Sequence, residues 1–253
     1  MKRMAVAVSS LEFSGPDLRR YKKQMSLSDW GIQTQKKLKD SKVFVGGIGG
    51  LGCPAALNLA LAGVGHIRIC DDDSVEISNL NSQFLYTEHN IGIKKTLSAQ
   101  AALSSINSKI AVDPISHKIT DENVDDIVGD AQIILDCLDN FSARCILNQC
   151  AIRKGIPMVH GAVWGMEGRV AFLYPPEGPC LTCIFPKAPA QQEVPVVGAV
   201  SCTIGSLQAI EAIKYLARSG RTLMGRMLIL DCSTMQFQEL KVPRNPQCPV
   251  CGG

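Results

Sequence analysis

Lys42-Val43-Phe44-Val45-Gly46-Gly47-Ile48-Gly49-Gly50-Leu51-Gly52, running into the Ala/Leu-rich stretch Pro54 to Ala62, decides how this chain folds. Val43 to Val45 is a short β-branched and aromatic run suited to a sheet. Pro54 suits the first turn of a helix, where its missing N–H costs nothing. Strand, glycine turn and helix follow in that order, and Gly47 to Gly52 fits GxGxxG, with Gly50 as an additional small residue. Glycines let the backbone approach phosphate oxygens, and a helix N-terminus adds free N–H groups at the positive end of a dipole. A phosphate-bearing ligand is the expectation.

Outward from that loop the pattern repeats. Ile67 to Cys70 reads as the next strand and ends in Asp71-Asp72-Asp73. A helix is predicted over 94–106, a strand over 110–115, a short helix over 121–128, and a strand at Ile133-Ile134-Leu135. A helix over 142–154 and a strand at 158–160 complete a βαβ alternation. This predicts a Rossmann-like α/β fold, a mostly parallel sheet with helices on both faces. After Gly161 the texture changes, and Gly168 to Tyr174, Met227 to Leu230 and Gln236 to Val242 read as an antiparallel C-terminal extension. Between them lie a proline-containing stretch, Lys187 to Val197, expected to be a mobile loop, and an amphipathic helix marked by Ile204, Leu207, Ile210, Ile213 and Leu216. Residues 1–40 are expected to form a helical arm with scattered anchors such as Tyr21, Trp30 and Leu38, packing on a neighbour. Residues 41–253 read as one continuous domain.

Composition narrows the function. Hydrophobic residues are 46% of the 253 and charged residues 19%, enough apolar surface to offset the entropy of folding, so dominant disorder is excluded. The formal charge is +3 and no Lys/Arg block resembles a nucleic-acid footprint. No apolar run approaches the roughly 18 residues of a membrane span, and Met4 to Val8 is too short for the core of an export signal. A cytoplasmic protein with neither nucleic-acid nor membrane partners is expected. The eleven cysteines are then read first as metal ligands and core residues rather than disulfides.

Cys180-Leu181-Thr182-Cys183 and Cys248-Pro249-Val250-Cys251 are two CxxC knuckles able to offer four thiolates to a closed structural Zn²⁺, tethering the tail to the body. Cys53, Cys70, Cys137, Cys145, Cys150 and Cys232 read as small core residues, and Cys202 as a reactive-thiol candidate. The four histidines show no ligand spacing. Asp71, at the end of the second strand, stands where a carboxylate takes ribose hydroxyls, which suits NAD as well as ATP. Lys95 near a helix start suits phosphate oxygens, and Asp136 or Asp139 at a central strand end suits Mg²⁺. These favour a triphosphate.

From Leu18 to Gly253 the chain resembles the ubiquitin-activating-enzyme superfamily, in its compact branch of MoeB, ThiF and HesA adenylyltransferases. The resemblance rests on Arg20-Tyr21-Lys22-Lys23-Gln24, the Gly47 to Gly52 loop, Ser78-Asn79-Leu80-Asn81-Ser82-Gln83-Phe84 and Gly92-Ile93-Lys94-Lys95. It continues through Asp136-Cys137-Leu138-Asp139-Asn140, Gly205-Ser206-Leu207-Gln208-Ala209 with Glu211-Ala212-Ile213-Lys214, and both CxxC pairs. It implies ATP-dependent adenylation of the C-terminal Gly-Gly carboxylate of a ubiquitin-like sulfur-carrier protein. It further implies a homodimer and a separate sulfurtransferase partner. In that scheme Asp71 and Asp73 lie at the nucleotide, Asn79 and Lys95 take phosphates, Asp139 takes Mg²⁺, and Lys23 reaches the nucleotide of the neighbouring subunit.

Three positions depart from the family pattern. Ser82 and Lys23 stand where arginines are usual, and Gln191 stands near a usual cysteine. Lysine keeps the charge without the forked geometry, and serine keeps neither. The implied route is adenylation without a covalent enzyme intermediate. The alternative is a catalytically weak nucleotide-binding or carrier-docking homologue.

Overall fold

The computed structural model describes residues 13, 15–188 and 195–252. Eight strands form one sheet in the order β3-β2-β1-β4-β5-β6-β7-β8. The parallel half comprises β1 (Lys42–Gly46), β2 (His66–Cys70), β3 (Ala111–Ile115), β4 (Ile133–Asp136) and β5 (Met158–Trp164). The antiparallel half adds β6 (Glu167–Leu173), β7 (Arg226–Asp231) and β8 (Gln236–Lys241). The α/β fold and its antiparallel extension are those expected. β5 runs on past the expected end at His160 because Gly161 to Trp164 pair with Glu167 to Val170 in a hairpin.

The helices are α1 (Gly15–Met25), α2 (Gly31–Lys39), α3 (Gly52–Ala62), α4 (Lys95–Ile106), α5 (Val124–Val128), α6 (Phe141–Lys154), α7 (Leu181–Ile184) and α8 (Gly198–Ala217). They cover both sheet faces and enclose two apolar clusters. Leu59, Leu103 and Ile204 pack with Val45 and Leu135 on one side, and Ile127, Leu147 and Leu181 with Phe44 and Ile134 on the other. Alternating strand residues face opposite sides, so the near-continuous apolar runs of β1 and β4 serve both clusters.

Within the N-terminal arm the described residues form two helices, α1 and α2, that sit on the chain's own body. Tyr21 is buried, and its hydroxyl accepts from Asn107 Nδ2 at 2.9 Å. Gln35 is fully buried and donates to the carbonyl of Ala62, the last residue of α3, at 2.9 Å. Of the Lys187 to Val197 stretch, 189–194 lie outside the described residues, Gln191 among them. Past that gap Gly165 N donates to Pro195 O at 2.7 Å, and Val196 pairs with Gly165.

Candidate active site

β2 lies on one side of β1 and β4 on the other, so the helices leaving these strands diverge and open a crevice at their C-terminal ends. The crevice has a volume of about 800 Å³. The glycine loop forms its floor. Gly47 has φ +86°, and a Cβ there would stand 2.7 Å from the carbonyl oxygen of Cys137. A Cβ on Gly52 would stand 1.9 Å from the carbonyl oxygen of Gly47. Only hydrogen fits at either place, which keeps the loop tight and its amides accessible. Gly49 and Gly50 line the crevice.

Asp71 closes one wall. Its Oδ2 accepts from Ile48 N at 2.8 Å and its Oδ1 from Asp73 N at 2.9 Å, so each oxygen keeps acceptor capacity for a hydroxyl. Burial pushes its pKa up, against the pull of Lys95 and the two amides. Lys95 opens α4 and is 6% exposed, with Nζ 2.8 Å from Asp73 Oδ2. Burial works against its ammonium, but Asp71, Asp73 and Asp139 outweigh it and its pKa lies above the ordinary lysine value. A buried cation paired with Asp73 and within the field of Asp71 and Asp139 is held charged. Asp139 is exposed on the opposite wall, just ahead of α6, whose N-terminus Asn140 caps by accepting from Ala143 N at 2.9 Å.

Not every expected residue meets there. Asn79 is absent from the crevice lining; its Oδ1 accepts from Glu76 N at 3.0 Å, capping a short 3₁₀ turn. Lys23 is exposed on α1, also outside the lining. Asp136 is fully buried and bonded to His160 Nδ1 at 2.7 Å, leaving Asp139 as the carboxylate of that strand end that faces solvent. Ser82 does line the crevice, beside Gln83 and Ser201. The residue missed by sequence reasoning is Arg144, 9% exposed on α6, which also lines it.

The four knuckle cysteines converge. Their sulfurs lie within 4.8 Å of one another, with Cys180 Sγ 3.8 Å from Cys183 and 3.7 Å from Cys248, and Cys183 3.5 Å from Cys251. Zn–S bonds of about 2.3 Å in a tetrahedron need sulfurs about 3.8 Å apart, so the set fits a closed zinc site. Asn245 N donates to Cys183 Sγ at 3.4 Å, the kind of backbone support a thiolate ligand receives. Of the remaining cysteines, Cys53, Cys70, Cys137 and Cys150 are buried. Burial pushes the Cys53, Cys70 and Cys150 thiols up to about 12. Cys145, Cys202 and Cys232 are only partly covered.

Residues 21–250 match the model of the ThiF family. The chain belongs to the ThiF family. Among ThiF-family relatives, the SAMP-activating enzyme E1 of Haloferax volcanii is 38% identical over 96% of this chain and 92% of its own length. The sulfur carrier protein adenylyltransferase of Thermus thermophilus is 38% identical over 96% and 93%. The adenylyltransferase and sulfurtransferase MOCS3 of Drosophila persimilis is 39% identical over 95% of this chain and 55% of its own, longer length. In three dimensions the chain superposes on E. coli MccB with a TM-score of 0.84 over 92% of this chain and 72% of that one, at 23% identity, a likeness of fold.

Proposed function

We propose that the chain is an adenylyltransferase that uses ATP to activate the C-terminal Gly-Gly carboxylate of a ubiquitin-like sulfur-carrier protein. The observation that carries this is Lys95, held charged beneath the glycine loop with Asp71 beside it and Asp139 across from it. The names of the relatives point the same way. In this reading Asp71 takes the ribose hydroxyls and the loop amides and Lys95 take phosphate oxygens. A carboxylate oxygen of the carrier attacks the α-phosphorus, the bond to the bridging oxygen breaks, and pyrophosphate leaves with the electron pair. Lys95 stabilises the negative charge that grows on the phosphoryl oxygens.

A triphosphate beside Asp71, Asp72, Asp73 and Asp139 places like charges together, which a divalent cation relieves. Asp139 is the residue to hold Mg²⁺, which supplies charge neutralisation of the departing pyrophosphate and needs only one or two carboxylates. Asn79 and Lys23 enter this reading only if the 3₁₀ turn opens or a second subunit brings its α1 to the site. The exposed Leu61, Leu97 and Ile210, on α3 and its packing neighbours α4 and α8, support a homodimer. A cytoplasmic setting with a separate sulfurtransferase completes it; among the described residues no helix is long and apolar enough to cross a membrane.

The test is ATP–pyrophosphate exchange with Gly-Gly-ended carriers. Carrier-dependent exchange is expected, and its absence with every carrier tried defeats the proposal. Ser82 gives a second reading its footing. It lines the crevice with no charge, so a protein that binds ATP and carrier without turnover is what that outcome would leave.

A further inference from the structure

A buried carbonyl needs a donor, and the way the glycine loop meets that need decides which of its amides remain for a ligand. Gly49 O accepts from Cys53 N of α3 at 2.9 Å. Gly47 O lies under Gly52, too close for any side chain there. The Ile48 carbonyl is different: among the described residues no backbone N–H reaches it, and side chains take it instead. Tyr86 OH donates to it at 2.6 Å, and Cys53 Sγ lies 3.5 Å away.

Tyr86 is buried in the apolar cluster that contains Val45 and Leu59. Burial pushes its phenol above the ordinary tyrosine pKa, so the hydroxyl keeps its proton. The Ile48-Gly49 peptide is trans, and a trans peptide carries its C=O and N–H on opposite sides. With the Ile48 oxygen drawn into the core, the Gly49 N–H points away from it, and Gly49 lines the crevice. Among the described residues neither Gly49 N nor Gly50 N has an acceptor. The other end of Ile48 is fixed as well, since its N donates to Asp71 Oδ2 at 2.8 Å. Tyr86 N in turn donates to Gln83 O at 3.1 Å, which ties the wall holding Ser82 and Gln83 to the floor.

We propose that Tyr86 is a positioning residue of the phosphate seat: by holding the Ile48 carbonyl inward, its hydroxyl turns the Gly49 amide outward to a phosphate oxygen. This rests on the adenylation reading, which puts a triphosphate in the crevice, and adds the group that sets the polarity of its floor. Without the hydroxyl a thiol, a weak donor, is all that remains for the Ile48 oxygen. The peptide is then free to rotate and present that oxygen to the ligand, where a carbonyl repels phosphate and an amide attracts it. The bond to Asp71 is made by the preceding peptide, so the ribose side of the site does not depend on this orientation.

The chain contains three Ile-Gly pairs, Ile48-Gly49, Ile91-Gly92 and Ile204-Gly205. Labelling isoleucine with ¹³C at the carbonyl and glycine with ¹⁵N therefore gives one NMR cross-peak per pair. Gly49→Ala, whose Cβ meets only Gln83 Nε2 at 3.7 Å, identifies the first peak by deleting it. In the full-length parent chain a non-hydrolysable ATP analogue with Mg²⁺ is expected to move the Ile48-Gly49 peak in its amide dimensions, and adenosine to leave it in place. Tyr86→Phe removes one oxygen and keeps the ring. It is expected to move the Ile48 carbonyl upfield with the other two peaks unchanged, and to weaken the ATP analogue about tenfold with adenosine affinity within about twofold. Replacing tyrosine throughout by a ring-fluorinated tyrosine, a stronger donor of nearly the same shape, is expected to move that carbonyl downfield. An analogue that leaves the peak unmoved, a carbonyl that neither change displaces, or analogue and adenosine affinities falling in step overturns the proposal, while exchange by the parent keeps the adenylation reading. A peak that responds as expected with no exchange from any carrier keeps Tyr86 in its role and sinks that reading.

Discussion

Lys95 Nζ lies 2.8 Å from Asp73 Oδ2 across the mouth of the glycine loop, joining the start of α4 to the end of β2. The contact is half buried, and its strength depends on what else enters the crevice. A bound triphosphate competes with Asp73 for the ammonium. Lys95→Ala is therefore expected to lower the exchange rate by about 3–4 kcal/mol of barrier, a few hundredfold, by analogy with loss of one transition-state donor. ATP affinity should fall less than turnover. Steady-state exchange set against calorimetric ATP binding checks both.

Ser82 stands in the crevice wall near Gly50, where a Cβ on the glycine would come within 3.8 Å of the serine Cβ. Ser82→Arg places a fork within reach of the phosphates. A charge-assisted hydrogen bond contributes about 1.5–3 kcal/mol, so exchange should rise roughly tenfold or more. If the rate stays flat while ATP affinity rises, the added charge meets the ground state alone.

Removing the metal should separate stability from nucleotide binding. Zinc analysis is expected to find one ion per chain, and Cys248→Ser, at a 3% exposed position, should lose it. Structural zinc contributes on the order of 10 kcal/mol in small zinc domains, so even partial loss lowers the melting temperature measurably. ATP affinity should hold, because the knuckles share no residue with the crevice lining.

Burial lowers the pKa of His160 below its unfolded value of about 6.5. Between the two values the unfolded chain binds a proton that the folded chain does not, so stability falls as pH drops through that window and is recovered above it. Chemical denaturation from neutral pH downward should show this slope, and His160→Gln should flatten it. A slope unchanged by the substitution would assign it to other groups.

Gly205 of α8 touches the glycine-loop end of α3, and a Cβ there would stand 2.1 Å from Leu51 O and 2.6 Å from Pro54 Cγ. Gly205→Ala must push the helices apart against backbone, at a cost of about 1–3 kcal/mol. Because Leu51 leads into α3 at the floor of the crevice, ATP affinity is expected to fall with the denaturation midpoint.

What the chain reveals before folding follows from how local the physics is. The strand, loop and helix around Gly47 announce themselves by neighbouring residues, and so do the apolar, β-branched runs of β1, β2 and β4, which are local properties. The CxxC pairs were legible because four soft ligands at that spacing have few other uses. Arg144 was not: within Ser142 to Lys154 it and Arg153 both read as a solvated helix face, and only the burial of Arg144, at 9% exposed, sets it apart. Asn79 carries a second, local signal. Glu76 and Asn79, three apart, are a capping pair whose side chain and backbone satisfy each other, a local signal outweighed by the motif around it. The arm divided into two helices because Gly31, at φ +59°, turns the chain between them.

The sheet switches once from parallel to antiparallel pairing, at β5, which pairs parallel with β4 and antiparallel with β6. The glycine-loop crevice depends on the parallel strands, whose packing tolerates almost no added atom at Gly47 or Gly52. Trp164 at the end of β5 and Glu167 and Arg169 on β6 sit on the hairpin that joins the two halves, partly in solvent. Substitutions on that hairpin thus leave the tight packing around Gly47 and Gly52 untouched.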